Sequence, residues 1–150
     1  MVNSMKTADS PRLLLQGRTA ADLMTPNPVS IRDTATIEEA VALLTDKGIS
    51  GSPVINEAGQ PIGVLSRADI VAYDRERVRQ TESASSPARV RDLMTPAVFS
   101  VAPEAPATKV VAEMAALEVQ RLFVVDHSGV LVGVISGLDV LRRLQPEFSA

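Results

Sequence analysis

Two stripes of apolar residues along the chain have the i, i+3, i+4, i+7 spacing of one helix face. The first stripe is Ile37, Ala40, Val41 and Leu44, and the second, 70 positions later, is Ala107, Val110, Val111 and Met114. Each stripe therefore predicts an amphipathic helix. Thr36 with Glu39 supplies a T-x-x-E capping box for the first helix, and Pro106 suits the first turn of the second.

Runs of strand length flank each predicted helix. A short apolar run precedes it, Val29 to Ile31 in the first half of the chain and Phe99 to Val101 in the second. Two longer runs follow it, within residues 52–66 and 122–136, and a loop containing glycine divides each pair, which predicts a β-hairpin. A last helix follows the hairpin. Each half thus has the order strand, helix, strand, strand, helix, with a right-handed crossover between its two parallel strands.

The two halves of the chain are copies of one unit. Residues 22–70 align with residues 92–140 without an insertion, and 15 of these 49 positions are identical. "DLMTP" opens both copies, and "GVLSRAD" at residues 63–69 returns as "GVISGLD" at residues 133–139. A three-stranded sheet needs a neighbour on the face that its own helices leave open, and the second copy is the obvious one. The sequence therefore predicts an α/β (α+β) fold in which two β-α-β-β-α repeats pack about a pseudo-twofold axis.

Composition shifts along the chain predict five segments. They are an N-terminal extension at 1–18, a first repeat at 19–79, a linker rich in serine and charge at 80–89, a second repeat at 90–145 and a C-terminal tail at 146–150. The extension is too short for a further domain and is a candidate for an extra helix. A target regulated by this protein is therefore expected to be a separate chain.

Charge and aromatic content argue against nucleic acid as a partner. The formal net charge is -3, the pI is about 5.2, and aromatic residues make up 3% of the chain with no tryptophan. A basic field and base-stacking surfaces are both missing from this composition. The longest early apolar run, Leu13 to Leu15, is too short for a signal peptide or a membrane span, so a cytoplasmic location without membrane contact is expected.

The residue inventory also argues against an enzyme. Without cysteine and with one histidine, the chain offers no disulfide, no thiolate nucleophile and no cysteine or multi-histidine metal site. That histidine, His127, lies in a predicted hairpin turn, far along the hairpin from both motif serines, Ser66 and Ser136, and no P-loop or catalytic carboxylate pair is present. No catalytic residue, metal or enzyme cofactor is therefore predicted.

The repeated S-x-x-D at Ser66/Asp69 and Ser136/Asp139 has two interpretations. A serine before a helix with an acid in its first turn is a capping signal. In the same place, free N–H groups and a hydroxyl favour phosphate, a carboxylate can accept ribose hydroxyls, and the glycine of the motif would let a ligand approach the backbone. One copy would decide little, but two copies at a fixed offset favour a paired ligand site.

With its "DLMTP" openings, "G-V-[IL]-S-x-x-D" closes and duplication over roughly residues 20 to 145, the chain resembles a tandem pair of cystathionine-β-synthase (CBS) domains, the Bateman module. The resemblance implies a regulatory module that binds adenosine nucleotides or S-adenosylmethionine in clefts between the repeats, often as a disc-shaped dimer. It also implies that the serine and aspartate of each closing motif hold phosphate and ribose. The ligand could be AMP, ADP, ATP or S-adenosylmethionine, which the sequence does not rank.

Carried over by residue, the resemblance implies two unequal clefts. Members of the family often have a His-Arg pair before the second strand; here the second repeat has Gln120 and Arg121, and the first has Ser50 and Gly51. Arg121 is therefore either a phosphate contact for the first cleft or a solvated surface arginine. The expected main cleft consists of Thr25, Val29, Ile49, Ser50, Ser66, Arg67, Asp69 and Arg121. The expected weaker cleft consists of Thr95, Phe99, Val119, Gln120, Ser136 and Asp139.

Two functions follow from these observations. The first is a nucleotide-sensing module that forms a homodimer and regulates an unidentified target protein. The second is a structural dimerisation module without a small-molecule ligand. It is favoured by the first repeat, which has Gly51 at the position that corresponds to Arg121. Substitution of Asp69 distinguishes them, because only the sensor has a ligand response to lose.

Overall fold

A computed structural model of the chain describes residues 12–79 and 87–147. Its helices are α1 (Ala20–Leu23), α2 (Ile37–Lys47), α3 (Arg67–Arg79), α4 (Val90–Leu93), α5 (Ala107–Leu117) and α6 (Gly137–Arg142). Its strands are β1 (Leu13–Leu15), β2 (Thr25–Pro26), β3 (Ile31–Arg32), β4 (Gly51–Ile55), β5 (Pro61–Ser66), β6 (Ser100–Val101), β7 (Arg121–Val125), β8 (Leu131–Ser136) and β9 (Leu144–Pro146). Most of the linker, residues 80–86, lies outside the described residues.

Each half contains the predicted unit of a parallel strand pair, a crossover helix and a hairpin. In the first half β3 pairs parallel with β4, and β4 pairs antiparallel with β5. In the second half β6, β7 and β8 repeat this pairing, with a register irregularity at the equivalent place, Val54/Ile55 in one copy and Val124/Val125 in the other. The α+β fold of two repeats is confirmed. The first strands are shorter than predicted, because regular pairing begins at Ile31 and Ser100.

The crossover helices begin at, or one position after, the residues predicted to start them. The Thr36 hydroxyl accepts a hydrogen bond from the Glu39 N–H group at 3.1 Å, so the predicted capping box is formed. Pro106 is the N-cap residue of α5, one position before the first turn in which the sequence placed it. Both helices end in the left-handed region, at Gly48 with φ 64° and at Glu118 with φ 55°.

The "DLMTP" segments cross between the halves, and this exchange completes both cores. Ala20 and Leu23 of α1 are buried in the second half against α5, β7 and β8, and β2 pairs with β8. In the opposite direction, Val90 of α4 is buried in the core of the first half. Val64 and Thr95 exchange two backbone hydrogen bonds of 2.9 Å, which fixes the second segment on β5. Each half therefore folds around a segment supplied by the other.

The glycines of the repeated closing motif make room for these crossing segments. A Cβ on Gly63 would lie 2.7 Å from the Thr95 carbonyl oxygen and 2.9 Å from the Met94 sulfur. A Cβ on Gly133 would overlap the side chain of Met24, to which its three nearest atoms belong. The sequence assigned these glycines to the close approach of a ligand, and that assignment was wrong. The crossing methionine occupies the space above each strand.

Two short strands near the ends of the described chain pair to form a two-stranded ribbon. Strand β1 pairs antiparallel with β9, and the Gln16 N–H group donates to the Arg143 carbonyl at 2.7 Å. The described part of the N-terminal extension is therefore a strand and not the extra helix that the sequence suggested. Likewise Pro146, assigned to the C-terminal tail, belongs to β9. Residues 1–11 and 148–150 lie outside the described residues.

Asp22 caps α1 through its carboxylate and should make stability depend on pH. The Arg18 N–H group donates to Asp22 Oδ2 at 2.8 Å and the Thr19 N–H group at 3.1 Å, and these bonds hold the pKa of the carboxyl below its ordinary value. The stabilisation is then present above the unfolded pKa, about 3.9, and lost as pH falls through the folded one. We expect Asp22→Asn to be less stable than the parent at neutral pH and to lose this deficit in acid. Urea unfolding of both proteins at about pH 7 and about pH 3 measures the difference between their free energies of unfolding. A difference that does not depend on pH would contradict the assignment.

None of the helices in residues 12–79 and 87–147 combines the length and the hydrophobicity needed to cross a bilayer.

Candidate ligand site between the two halves

A cavity of about 350 Å³ opens between the two halves. Its walls are mainly apolar, with a few convergent polar side chains, as in many small-molecule sites. The first half contributes Ser50, Gly51, Val64 and Ser66. The second half contributes Ala97, Phe99, Val119, Gln120, Arg121 and Phe123.

The first hairpin brings the two serines of the cavity together. Ser50 immediately precedes β4 and Ser66 ends β5, and Gly51 stands opposite Ser66 in the strand register. The Arg67 N–H group donates to the Ser50 carbonyl at 2.9 Å, which ties the start of α3 to the start of β4. The strand-to-helix junction is therefore anchored to the start of β4 at the cavity wall.

Arg121 reaches the cavity from the opposite half. It begins β7, where it pairs with Ser136 of β8, and its side chain is exposed. Its guanidinium Nη1 lies 3.8 Å from the place that a Cβ on Gly51 would occupy. Gly51 is the repeat counterpart of Arg121, and its missing side chain leaves the space in which the guanidinium lies. Of the described residues that line the cavity, Arg121 alone is charged.

Ser66 and Asp69 form a helix cap beside the cavity. Asp69 Oδ2 accepts hydrogen bonds from the Ser66 N–H group at 2.9 Å and from its hydroxyl at 3.0 Å, and the Asp69 N–H group donates to the Ser66 hydroxyl at 3.2 Å. The structure thus contains the helix cap that the sequence predicted as one of two interpretations of this motif. Among the described residues no donor is bonded to Asp69 Oδ1, so one carboxylate oxygen is free to accept a ligand hydroxyl.

The counterpart pair in the second half has a different environment. Asp139 Oδ2 accepts from the Ser136 N–H group at 2.8 Å, while Oδ1 accepts from the Thr25 hydroxyl at 3.3 Å and lies 4.0 Å from Arg142 Nη1. Thr25 therefore lies beside Asp139, and its placement in the same cleft as Asp69 was wrong. The physical reason is the crossing of the "DLMTP" segment, which carries Thr25 onto β8.

The N-termini of α3 and α6 offer few free donors. The first N–H groups of these helices, on Arg67 and Gly137, donate to the carbonyls of Ser50 and Gln120 at 2.9 and 3.2 Å. The third N–H groups, on the two aspartates, donate to the capping serine hydroxyls. The expectation of free backbone donors for phosphate was therefore wrong at these positions, and an anion would depend mainly on Arg121.

The cavity mixes residues that the sequence assigned to two clefts. Ser50, Ser66 and Arg121 from the expected main cleft lie together with Phe99, Val119 and Gln120 from the expected weaker one. Thr95 is hydrogen-bonded to Val64 at the cavity wall. This grouping follows from the exchange, since the second "DLMTP" segment lies on the first half.

Other predicted site residues lie outside this set of cavity walls. Ile49 packs against the core of the first half, and Arg67 is exposed at the start of α3. The Val29 carbonyl accepts the hydroxyl of buried Ser52 at 2.8 Å. Sequence reasoning missed Val64 and Phe123, whose apolar strand positions are indistinguishable from core positions before the packing is known.

Comparison with protein families places both halves in one family. The model described as "CBS domain" matches residues 20–76 and residues 90–146. These two matches cover the duplicated unit in each half.

Curated relatives share part of their length with this chain. The 5'-AMP-activated protein kinase subunit gamma-3 of Bos taurus is 34% identical over 116 residues, which is 76% of this chain and 23% of that protein. CBSX2, a chloroplastic CBS domain-containing protein of Arabidopsis thaliana, is 35% identical over 69 residues, or 46% of this chain and 29% of that protein. The chain thus spans about a quarter of the length of these relatives.

Solved structures with bound nucleotides have the same fold. The crystal structure of CBSX2 in complex with AMP has a TM-score of 0.70 and 30% identity, covering 84% of this chain and 95% of that one. The cytosolic domain of the Mg2+ channel MgtE in complex with ATP has a TM-score of 0.67 and 31% identity, covering 85% of this chain and 49% of that one. The bound ligands of these two structures, AMP and ATP, are both adenosine nucleotides.

Proposed function

The chain belongs to the CBS-domain family, with two copies of the domain in tandem, and on that premise we propose that it is a regulatory module that binds an adenosine-type ligand between its halves. AMP, ADP, ATP and S-adenosylmethionine are the candidate ligands. The two solved relatives that hold AMP and ATP support this class of ligand. The proposed role is non-catalytic: ligand binding changes the affinity of the module for a separate target protein.

The observation that carries the proposal is the cavity with a cation on one wall and a capped serine on the other. Arg121 suits a phosphate, and apolar walls that include Phe99 suit a purine ring. Asp69, next to Ser66, has an uncommitted carboxylate oxygen for a ribose hydroxyl. Three parts of one nucleotide thus meet three kinds of group, two of them on the cavity walls and the third, Asp69, beside the cavity next to Ser66.

We further propose that the module acts as a homodimer. The helices of both halves carry large apolar side chains on their outer surfaces, which a second copy of the chain would cover. They include Val41 (42% exposed), Val71 (55%), Leu117 (46%), Leu138 (54%) and Leu141 (63%). Sedimentation measurements of the purified protein test this assembly, with a monomer at micromolar concentration as the contradicting result.

One observation favours the alternative of a scaffold without a ligand. Both S-x-x-D pairs are already satisfied as helix caps in the structure, so capping alone explains why serine and aspartate stand there. In that case the module would contribute only the fold and the dimer.

The test is calorimetric titration of the parent protein and of Asp69→Asn with AMP, ADP, ATP and S-adenosylmethionine. The asparagine retains an oxygen for the cap but removes the charge that accepts ribose hydroxyls. We expect binding of one ligand or more by the parent and affinity lower by roughly tenfold to a hundredfold in the variant, since hydrogen bonds to charged groups contribute about 1.5–3 kcal/mol.

Glu39→Gln is the matched control, because Glu39 belongs to a capping box of the same chemistry at α2 and is not among the cavity residues. It should leave the affinity unchanged. If the parent releases no heat with any of the four ligands while the dimer is intact, the scaffold is the correct function.

A further inference from the structure

We propose that the cavity selects a nucleoside monophosphate over the corresponding di- and triphosphate, and that Arg121 is the residue that determines this specificity. The inference deepens the proposed function and rests on it. It concerns the number of phosphate groups that the cavity can neutralise.

The described walls of the cavity carry little positive charge. Among the wall residues that the structure describes, Arg121 alone has a charged side chain, and the position related to it by the internal repeat is Gly51. A planar guanidinium forms two parallel hydrogen bonds with the oxygens of one phosphate group. One arginine is therefore matched to one phosphate.

Backbone donors at the start of α3 are already used for hydrogen bonds within the protein. At α3, the N–H groups of Arg67 and Asp69 are bonded to the Ser50 carbonyl and the Ser66 hydroxyl. A helix N-terminus with free donors would add sites for further phosphate oxygens. Here that contribution is largely used inside the protein, so a second or third phosphate does not find a ready set of donors.

Further phosphate groups would add negative charge that the described cavity walls do not neutralise. The apolar wall residues Val64, Ala97, Phe99, Val119 and Phe123 have no side-chain donor to offer a further phosphate. The carboxylate of Asp69 lies beside Ser66 and adds repulsion at the same end.

The experiment compares adenosine, AMP, ADP and ATP by calorimetric titration at one ionic strength, without divalent metal that would neutralise the triphosphate. We expect AMP to bind at least about tenfold more tightly than ATP. Arg121→Gln should weaken AMP by roughly tenfold or more and leave adenosine unchanged, because adenosine has no phosphate for the guanidinium. Arg121→Lys should recover only part of the AMP affinity, since an ammonium lacks the two-pronged geometry.

A gain-of-function variant tests the charge count directly. Gln120 is exposed and lines the cavity next to Arg121, so Gln120→Arg adds a second cation at the phosphate end. We expect it to raise ATP affinity more than AMP affinity and to narrow the ratio between them. Equal affinities of the parent for AMP and ATP, or equal losses of adenosine and AMP in Arg121→Gln, would overturn the specificity proposal while leaving nucleotide binding in place. Absence of binding by all four compounds would overturn the proposed function itself, and this inference with it.

Discussion

Replacing Gly63 by alanine is expected to lower the free energy of unfolding by about 1–3 kcal/mol, the usual cost of overpacking. The new Cβ would lie 2.7 Å from the Thr95 carbonyl oxygen and 2.9 Å from the Met94 sulfur. A backbone oxygen cannot turn away as a side chain can, so β5 and the crossing segment would have to separate. Urea unfolding of the parent and the variant measures the loss.

Gly137→Ala is the matched control, because a Cβ at Gly137 meets no atom within 4 Å and the residue begins α6. It should be neutral or slightly stabilising, since alanine is the better helix former. An equal loss in both variants would show that chain flexibility, and not the contact with the crossing segment, explains the effect.

The two motif glycines should differ in how they respond to a second substitution. All three of the closest atoms to a Cβ at Gly133 belong to Met24, whereas at Gly63 the closest is backbone. Met24→Ala should therefore relieve part of the strain of Gly133→Ala, while Met94→Ala should relieve less of the strain of Gly63→Ala. A double-mutant cycle at each site gives the two coupling energies, and equal values would contradict this account.

Leu23→Ala is expected to destabilise the second half of the molecule, although Leu23 belongs to the first half in sequence. Its side chain is 2% exposed and lies in one cluster with Val124 and Ile135. Truncating a buried leucine to alanine costs about 2–5 kcal/mol, through lost burial and the cavity that remains. Denaturant unfolding gives the magnitude, and hydrogen exchange gives its location.

Hydrogen exchange in Leu23→Ala should accelerate most in β7 and β8. Val78→Ala, at a residue that is 76% exposed, is the control and should change stability by no more than about 0.5 kcal/mol. Loss of protection centred on β4 and β5 would show that α1 stabilises its own half, contrary to the exchange seen in the structure.

Much of the fold was readable from the sequence because its signals are local. Helical spacing from Ile37 to Leu44 and the Thr36/Glu39 box correctly predicted α2 and its start. The turn residues of the two hairpins also act locally: Asn56 and Asp126 each accept hydrogen bonds from N–H groups two and four residues later, and glycines with φ 82° complete the turns. Because the two halves align at an offset of 70 positions, each prediction made for one half also applied to the other.

The candidate site was only partly readable, because it is assembled across the two halves. Ser66, Arg121 and Gln120 were identified through the resemblance and lie around one cavity. Thr25 was placed with the wrong aspartate, and the motif glycines were given a ligand role that belongs to packing. Both errors have one origin, because each assumed that a segment packs in the repeat to which it belongs in sequence.

The sequence by itself determined the repeated unit, its helices and hairpins, and the residue types available for ligand chemistry. Only the tertiary structure decided that α1 and α4 exchange halves, and hence that Phe99 lies with Ser66 and that Thr25 lies with Asp139. The physical reason is that an apolar pattern specifies which face must be buried and not which surface buries it. In a duplicated chain two nearly equivalent surfaces compete for each segment, and the choice depends on contacts distant in sequence.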